Sequence, residues 1–192
     1  MTTQDEINLR IFTGVSSLWA IVLGFIGPFY VLQVAKLSGG LEKLGLAFSI
    51  TVLLQAATTY IAGHHSDRLG RKPFLITTAY VDATVIFLYT VIHEQYQLYL
   101  LQALLGVTNG IVGTVSTSLL GDLTIKEQRG KTVGKFHAIV SVSSAAGLIL
   151  GGYMAKSYGI NYLFYLASGS IAFSTVLLFF LKENDSINLH AS

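Results

Sequence analysis

The sequence has no cysteine and only two prolines in 192 residues, and Asp, Glu, Lys and Arg together make up just 11% of it. Without cysteine there is neither a disulfide framework nor a thiolate metal site. A soluble domain usually carries about 25% charged residues, so this chain cannot clothe an ordinary wet surface. The net charge of +2 is too small to suggest a nucleic-acid partner. Enzyme signatures are missing as well. "RGKT" at 129–132 resembles the end of a phosphate-binding loop, but Ile125 stands where its first glycine is needed. "HEQYQ" at 93–97 has Gln97 where a zinc-protease helix needs its second histidine. His64 and His65 are adjacent, which makes a poor metal pair on a helix. "NDS" at 184–186 fits a glycosylation sequon but falls on a tail expected to be cytoplasmic. No nucleophile–base set has supporting spacing, so the expectation is a protein that is not an enzyme and holds no metal or cofactor.

Hydrophobic residues account for 52% of the chain and fall in long runs. Uncharged stretches lie between Arg10 and Lys36, Lys43 and Asp67, Glu94 and Asp122, Lys135 and Lys156, and Lys156 and Lys182; between Lys72 and Glu94 there is one acid, Asp82. Each is close to or above the roughly 20 apolar residues a helix needs to cross a bilayer. The pattern predicts one all-α integral membrane domain over 1–192, with six spans near 11–34, 43–63, 73–92, 97–121, 134–155 and 160–181. The first run is too long for a signal peptide, lacks a small-residue cleavage site, and is followed by five more.

Charge sets the orientation. With the amino terminus in the cytoplasm, Arg10, Arg68, Arg71, Lys72, Lys126, Arg129, Lys131, Lys135 and Lys182 fall inside, against Lys36, Lys43 and Lys156 outside. Positive residues favour the cytoplasmic side, so both termini are expected there, in the plasma membrane. Short outer links near 35–42, 93–96 and 156–159 make consecutive helices antiparallel neighbours. Pro73 sits where a helix can begin. Pro28 lies within the first span, where it removes a backbone hydrogen bond and invites a kink.

Small residues recur at helical spacing. "GVTNGIVG" carries Gly106, Gly110 and Gly113, and "GLILGG" carries Gly147, Gly151 and Gly152. Glycines four apart let helix backbones approach closely in lipid. Tight packing is the plainer reading, and glycines lining a path that opens and closes the sharper one.

The polar stretch "GHHSDRLGRK", 63–72, joins the second and third spans as a tight cytoplasmic turn. Asp67 is placed to accept hydrogen bonds from the start of the next helix, and the basic trio Arg68, Arg71 and Lys72 to face lipid head groups. The pattern formed by Gly63, Asp67, Arg68, Gly70, Arg71 and Lys72 resembles the signature loop of the major facilitator superfamily. "GDLTIKEQRGKTVG", 121–134, is similar to that family's link between its fourth and fifth helices, with Asp122, Glu127, Arg129 and Gly130 at the usual positions. Read alone, the same segment looks like a short capped helix, with capping-box spacing between Thr124 and Glu127 and an i,i+4 pair of Glu127 with Lys131.

The resemblance covers six spans, the amino-terminal half of a family member, and is closest to its drug exporters. It implies transport of a small-molecule substrate by alternating access between two six-helix halves. The partners implied are the lipid bilayer and either a second copy, as a homodimer, or a complementary half. A non-transporting scaffold or regulatory subunit with the same fold is the alternative. The resemblance also implies that Asp67 bridges to neighbouring helix ends and holds one access state closed. It makes the first and fourth helices the cavity wall, which points to Trp19, Tyr30, Gln33, Gln102 and Asn109, and more weakly to Gln55. Gln102 stands ahead of Gly106 where proton-coupled members often carry arginine, so arginine-linked coupling does not carry over. Asp82 is costly at a span centre and should face a cavity or partner. It either carries a proton or locks packing with Thr78, Tyr80, Thr84 or neighbouring amides.

Overall fold

The computed structural model describes residues 3–181, with the side chains of residues 67–69 outside that description. Six helices follow one another: α1 Thr3–Ser38, α2 Leu41–Leu69, α3 Lys72–Leu88, α4 Gln95–Asp122, α5 Arg129–Tyr158 and α6 Ile160–Thr175. Three-residue-per-turn segments at Lys126–Gln128 and Val176–Phe180 precede α5 and extend α6. All six expected spans are present as helices, and there is no strand among the described residues. Five of the elements are long and apolar enough to cross a membrane. The exception is α3, at 17 residues, and tight turn hydrogen bonds carry its winding on to Ile92. The helices mostly run past the apolar stretches, because backbone hydrogen bonding continues into polar residues once nothing interrupts it. Accordingly α1 starts at Thr3 and runs unbroken through Pro28.

The link at 63–72 is shorter than its sequence suggests. Residues 63–69 belong to α2, and the chain reverses only at Gly70 and Arg71. Gly70 makes this possible with φ of 84°, a left-handed value that a Cβ would oppose. Gly63 is therefore a helical residue, in ordinary contact with Thr114, and not part of the turn. Gly159, also at φ 84°, makes the same kind of reversal between α5 and α6. Pro73 lies in the first turn of α3, where its missing N–H costs nothing. At the start of α4 the side chain of Gln97 accepts from the backbone N–H of Glu94 and of His93, each at 3.1 Å. "HEQYQ" is thus a helix start with a reciprocal cap.

Two glycine-seamed pairs organise the bundle: α2 with α4, and α1 with α5. Gly106 and Gly110 lie against the carbonyls of Thr51 and Gln55 on α2; Gly147 and Gly151 lie against those of Ile21 and Phe25 on α1. The packing reading of these glycines holds. Gly113 and Gly152 have nothing within 4 Å of a would-be Cβ and serve neither seam. Helices α3 and α6 pack on each other and cover the two pairs from behind, whereas α1 and α4 meet only sparsely. Large apolar side chains on α2 and α5 point outward, among them Leu53 at 70% and Val142 at 71% exposure. Lipid or protein must solvate such surface.

Candidate functional site

Three features occupy different heights of the bundle. At the end holding Gly70 and Arg71, basic side chains staple helix ends together. The Arg71 guanidinium, with a side chain only 13% exposed, pairs with the carboxylate of Asp122 at the end of α4. Lys72 Nζ donates to the carbonyls of Phe179 and Leu181, at 2.7 and 2.9 Å, where the chain leaves α6. Arg129 donates to the Gly121 carbonyl at 3.1 Å and to Thr124 Oγ1 at 3.3 Å. The last carbonyls of a helix have no partner within it and carry the negative end of its dipole. Arg71 and Lys72 are thus drawn onto protein groups instead of facing head groups as expected. The Asp67 and Arg68 side chains, given a bridging role from the sequence, lie outside the described residues.

The second loop departs from its sequence reading. Thr124 does not cap a helix that follows it. Its hydroxyl donates back to Leu120 and Gly121, both at 3.0 Å, closing α4, and the next turn starts after Ile125 with no side-chain cap. A Thr hydroxyl that can reach the carbonyl four residues back satisfies itself there before it meets the next turn. Glu127 is exposed in that turn and makes no ion pair with Lys131 among the described residues. Gly130 sits in the first turn of α5 with open space around it.

Near the opposite end, polar side chains from α1, α2 and α4 form a knot with the turn that follows α3. Gln102 Oε1 accepts from Tyr30 OH at 2.8 Å and from Thr51 Oγ1 at 2.6 Å, and Thr51 also reaches the Gln102 carbonyl at 3.0 Å. Gln33 Nε2 donates to the Tyr89 carbonyl at 3.0 Å, and the Tyr30 and Tyr89 rings meet edge to face at 5.4 Å. Tyr30, Gln33 and Gln102 are therefore brought together, but Gln102 is fully buried and does not line an open wall in this conformation. Thr51 and Tyr89 were missed. A Thr at helical spacing before Gln55, inside an apolar run, was the signal available for Thr51. Gln55 itself is exposed on α2 and joins neither group.

Between the two ends, the gap separating α1 from α4 forms a cleft of about 120 Å³. Trp19 and Leu23 of α1 and Leu105, Asn109 and Val112 of α4 form its sides, and Asp82 of α3 lies at its floor. Thr108 Oγ1 donates to Asp82 Oδ1 at 2.5 Å. The nearer candidates are otherwise engaged: Thr78 donates to Phe74 and Leu75, and Thr84 to Tyr80, all backbone carbonyls of their own helix. Trp19 Nε1 donates to Ser174 Oγ at 3.1 Å, tying α1 to α6 beside the cleft. An acid on a helix at the back of the bundle thus opens towards the face that α1 and α4 present, where Asn109 is exposed.

Six antiparallel helices, glycine-seamed pairs and a stapled loop after the second helix agree with what the sequence resembles. Residues 11–190 match the family model described as Major Facilitator Superfamily. The chain belongs to that superfamily. Among its relatives in Bacillus subtilis (strain 168) is the uncharacterized MFS-type transporter YitZ, 28% identical over 143 residues, which cover 74% of this chain and 87% of that protein. A second, YuxJ of the same organism, is 30% identical over 173 residues, or 88% of this chain and 43% of that protein. The multidrug resistance protein MdtG of Proteus mirabilis (strain HI4320) is 32% identical over 141 residues, or 73% of this chain and 35% of that protein. The matches thus span less than half the length of YuxJ and MdtG, and most of the length of YitZ. Family, relatives and apolar helices together make this a multi-pass membrane protein of a transporter superfamily.

Proposed function

We propose that the chain moves a small molecule across the membrane by alternating access, forming one six-helix wall of a transporter whose other wall is a second six-helix unit. The observation that carries this reading is the combination of rigid pairs and a divided front. Glycine seams weld α1 to α5 and α2 to α4, and side-chain staples fix the helix ends, whereas α1 and α4 meet sparsely around a cleft with an acid in it. Such a unit is built to rock as a body while its α1–α4 face meets substrate. The second unit is another copy of this chain or a complementary half; the relative YitZ, of which the match covers 87%, is compatible with the first.

In this reading the Gly70 end and both termini face the cytoplasm, in the plasma membrane; the excess of basic residues in the segments at that end supports it. The substrate class is an amphipathic small molecule. The cleft is walled mainly by Trp19, Leu23, Leu105 and Val112, with Asp82 and Asn109 as its polar groups, and MdtG is by name a multidrug resistance protein. Flux of amphipathic dyes through liposomes containing the purified chain is the test. Dye movement above that of empty liposomes is expected. A folded, inserted chain with no flux for any dye would remove the second-copy form of this reading, and no flux with a complementary six-helix half co-reconstituted would favour the scaffold or regulatory role.

A further inference from the structure

The Asp82 carboxylate and the Thr108 hydroxyl have a property that neither has alone. Thr108 Oγ1 lies 2.5 Å from Asp82 Oδ1 and 3.1 Å from the Leu105 carbonyl oxygen of its own helix. A hydroxyl carries one proton and accepts through its lone pairs. It can therefore donate to the carboxylate or to the carbonyl, and the choice follows the charge on Asp82. When Asp82 is ionised, both its oxygens only accept, and Thr108 must donate to it. When Asp82 is protonated, its own O–H can donate to Thr108 Oγ1, and the threonine proton turns to Leu105. The α3–α4 hydrogen bond survives both states with its direction reversed.

We propose that Asp82 is a proton-exchange site reached through the α1–α4 cleft, and that Thr108 is its positioning residue, holding the acid in place by reversing this hydrogen bond. The step is a simple one. A hydronium ion in the cleft gives its proton to Oδ1 and leaves water, no protein bond breaks, and the threonine O–H rotates from Asp82 to Leu105. The reverse releases the proton to the same water. Water has polar partners there in Asp82 and Asn109, which a buried water needs. Among the described residues no other charge lines the cleft. The faces turned towards it are Trp19 and Leu23 from α1, Leu105, Asn109 and Val112 from α4, and Ile171 from α6. None of these titrates, so Asp82 is the one ionisable group lining the cleft among the described residues. A group that merely locked packing would need neither a cleft nor a partner able to serve both protonation states.

The proposal rests on the transporter reading only for its link to flux, so the decisive test is independent of transport. The purified full chain in lipid nanodiscs is titrated from alkaline to acid while its infrared difference spectrum is recorded. One protonated-carboxyl band present in wild type should be missing in Asp82→Asn. In Thr108→Val the same band should move to higher frequency, because its hydrogen-bond partner is gone, and Thr108→Ser should restore it. If Asp82→Asn fails to insert, the Thr108 pair still decides, since valine nearly matches threonine in shape. A spectrum with no band removed by Asp82→Asn, or a band indifferent to Thr108→Val, overturns the proposal. A band that behaves as described in a chain showing no flux would leave the proton site standing and remove the second-copy transport reading instead.

Discussion

Gly151 offers the sharpest test of how the bundle is held together. A Cβ at that position would lie 2.5 Å from the Phe25 carbonyl oxygen and 2.8 Å from the Phe25 Cα, whereas ordinary contact begins at 3.4 Å. Both are backbone atoms and cannot swing aside, so Gly151→Ala must open the α1–α5 seam by about 0.9 Å. A gap of that size forfeits about a quarter to a half of each dispersion contact it stretches. Overpacking typically costs about 1–3 kcal/mol, and a clash against backbone belongs at the upper end. Alanine's better helix propensity returns about 1 kcal/mol, leaving a net loss of about 2 kcal/mol. The neighbouring residue supplies the control. A Cβ at Gly152 meets nothing within 4 Å, so Gly152→Ala should gain up to about 1 kcal/mol from propensity alone. Reversible unfolding of both variants in mixed micelles, with increasing denaturing detergent, measures the difference. Equal stability of the two, one residue apart on the same helix, would refute the seam.

Other consequences can be checked separately. Asp122 is 61% exposed, so its pairing with Arg71 should show a small but non-zero coupling of about 0.2–1 kcal/mol in a double-mutant cycle of Arg71→Gln and Asp122→Asn; strictly additive effects would deny the pair. Lys72→Met frees the carbonyls of Phe179 and Leu181, and amide exchange should quicken over 176–181 while α4 is unchanged; slow exchange there would mean the lysine holds nothing. Because the chain has no native cysteine, single introduced cysteines report topology cleanly: one at position 129 should be labelled only from the cytoplasm and one at position 95 only from outside, and the reverse pattern would invert the orientation.

What could be read from sequence was what local physics controls. Apolar run length gave six helices, Pro73 marked a helix start, and Gly106, Gly110, Gly147 and Gly151 announced close packing by their spacing alone. Helix ends were less legible. The stretch 63–72 looked like one polar turn, yet a helix tolerates polar residues and stops only at Gly70, and no sequence pattern marks Gly70, with its left-handed φ, apart from the helical Gly63. "HEQYQ" did carry a readable signal, since Glu94 and Gln97 stand three apart just before an apolar run.

Partner choice was the least legible. Thr108 is 26 residues from Asp82, and nothing in the sequence prefers it over Thr78 or Thr84 until α3 and α4 are packed side by side. Gln102 illustrates the same limit. The family likeness put it on the cavity wall, but two hydroxyls from other helices enclose its amide oxygen and bury it.

The account stands or falls on the second wall. Flux per liposome should be measured as the number of chains per liposome is raised from well below one to several, with insertion verified at each density. If a transporting unit needs two copies, flux should rise more steeply than linearly and approach the square of chain density at the dilute end. Flux strictly proportional to chain number would mean that one six-helix unit transports alone, and would contradict the two-wall account.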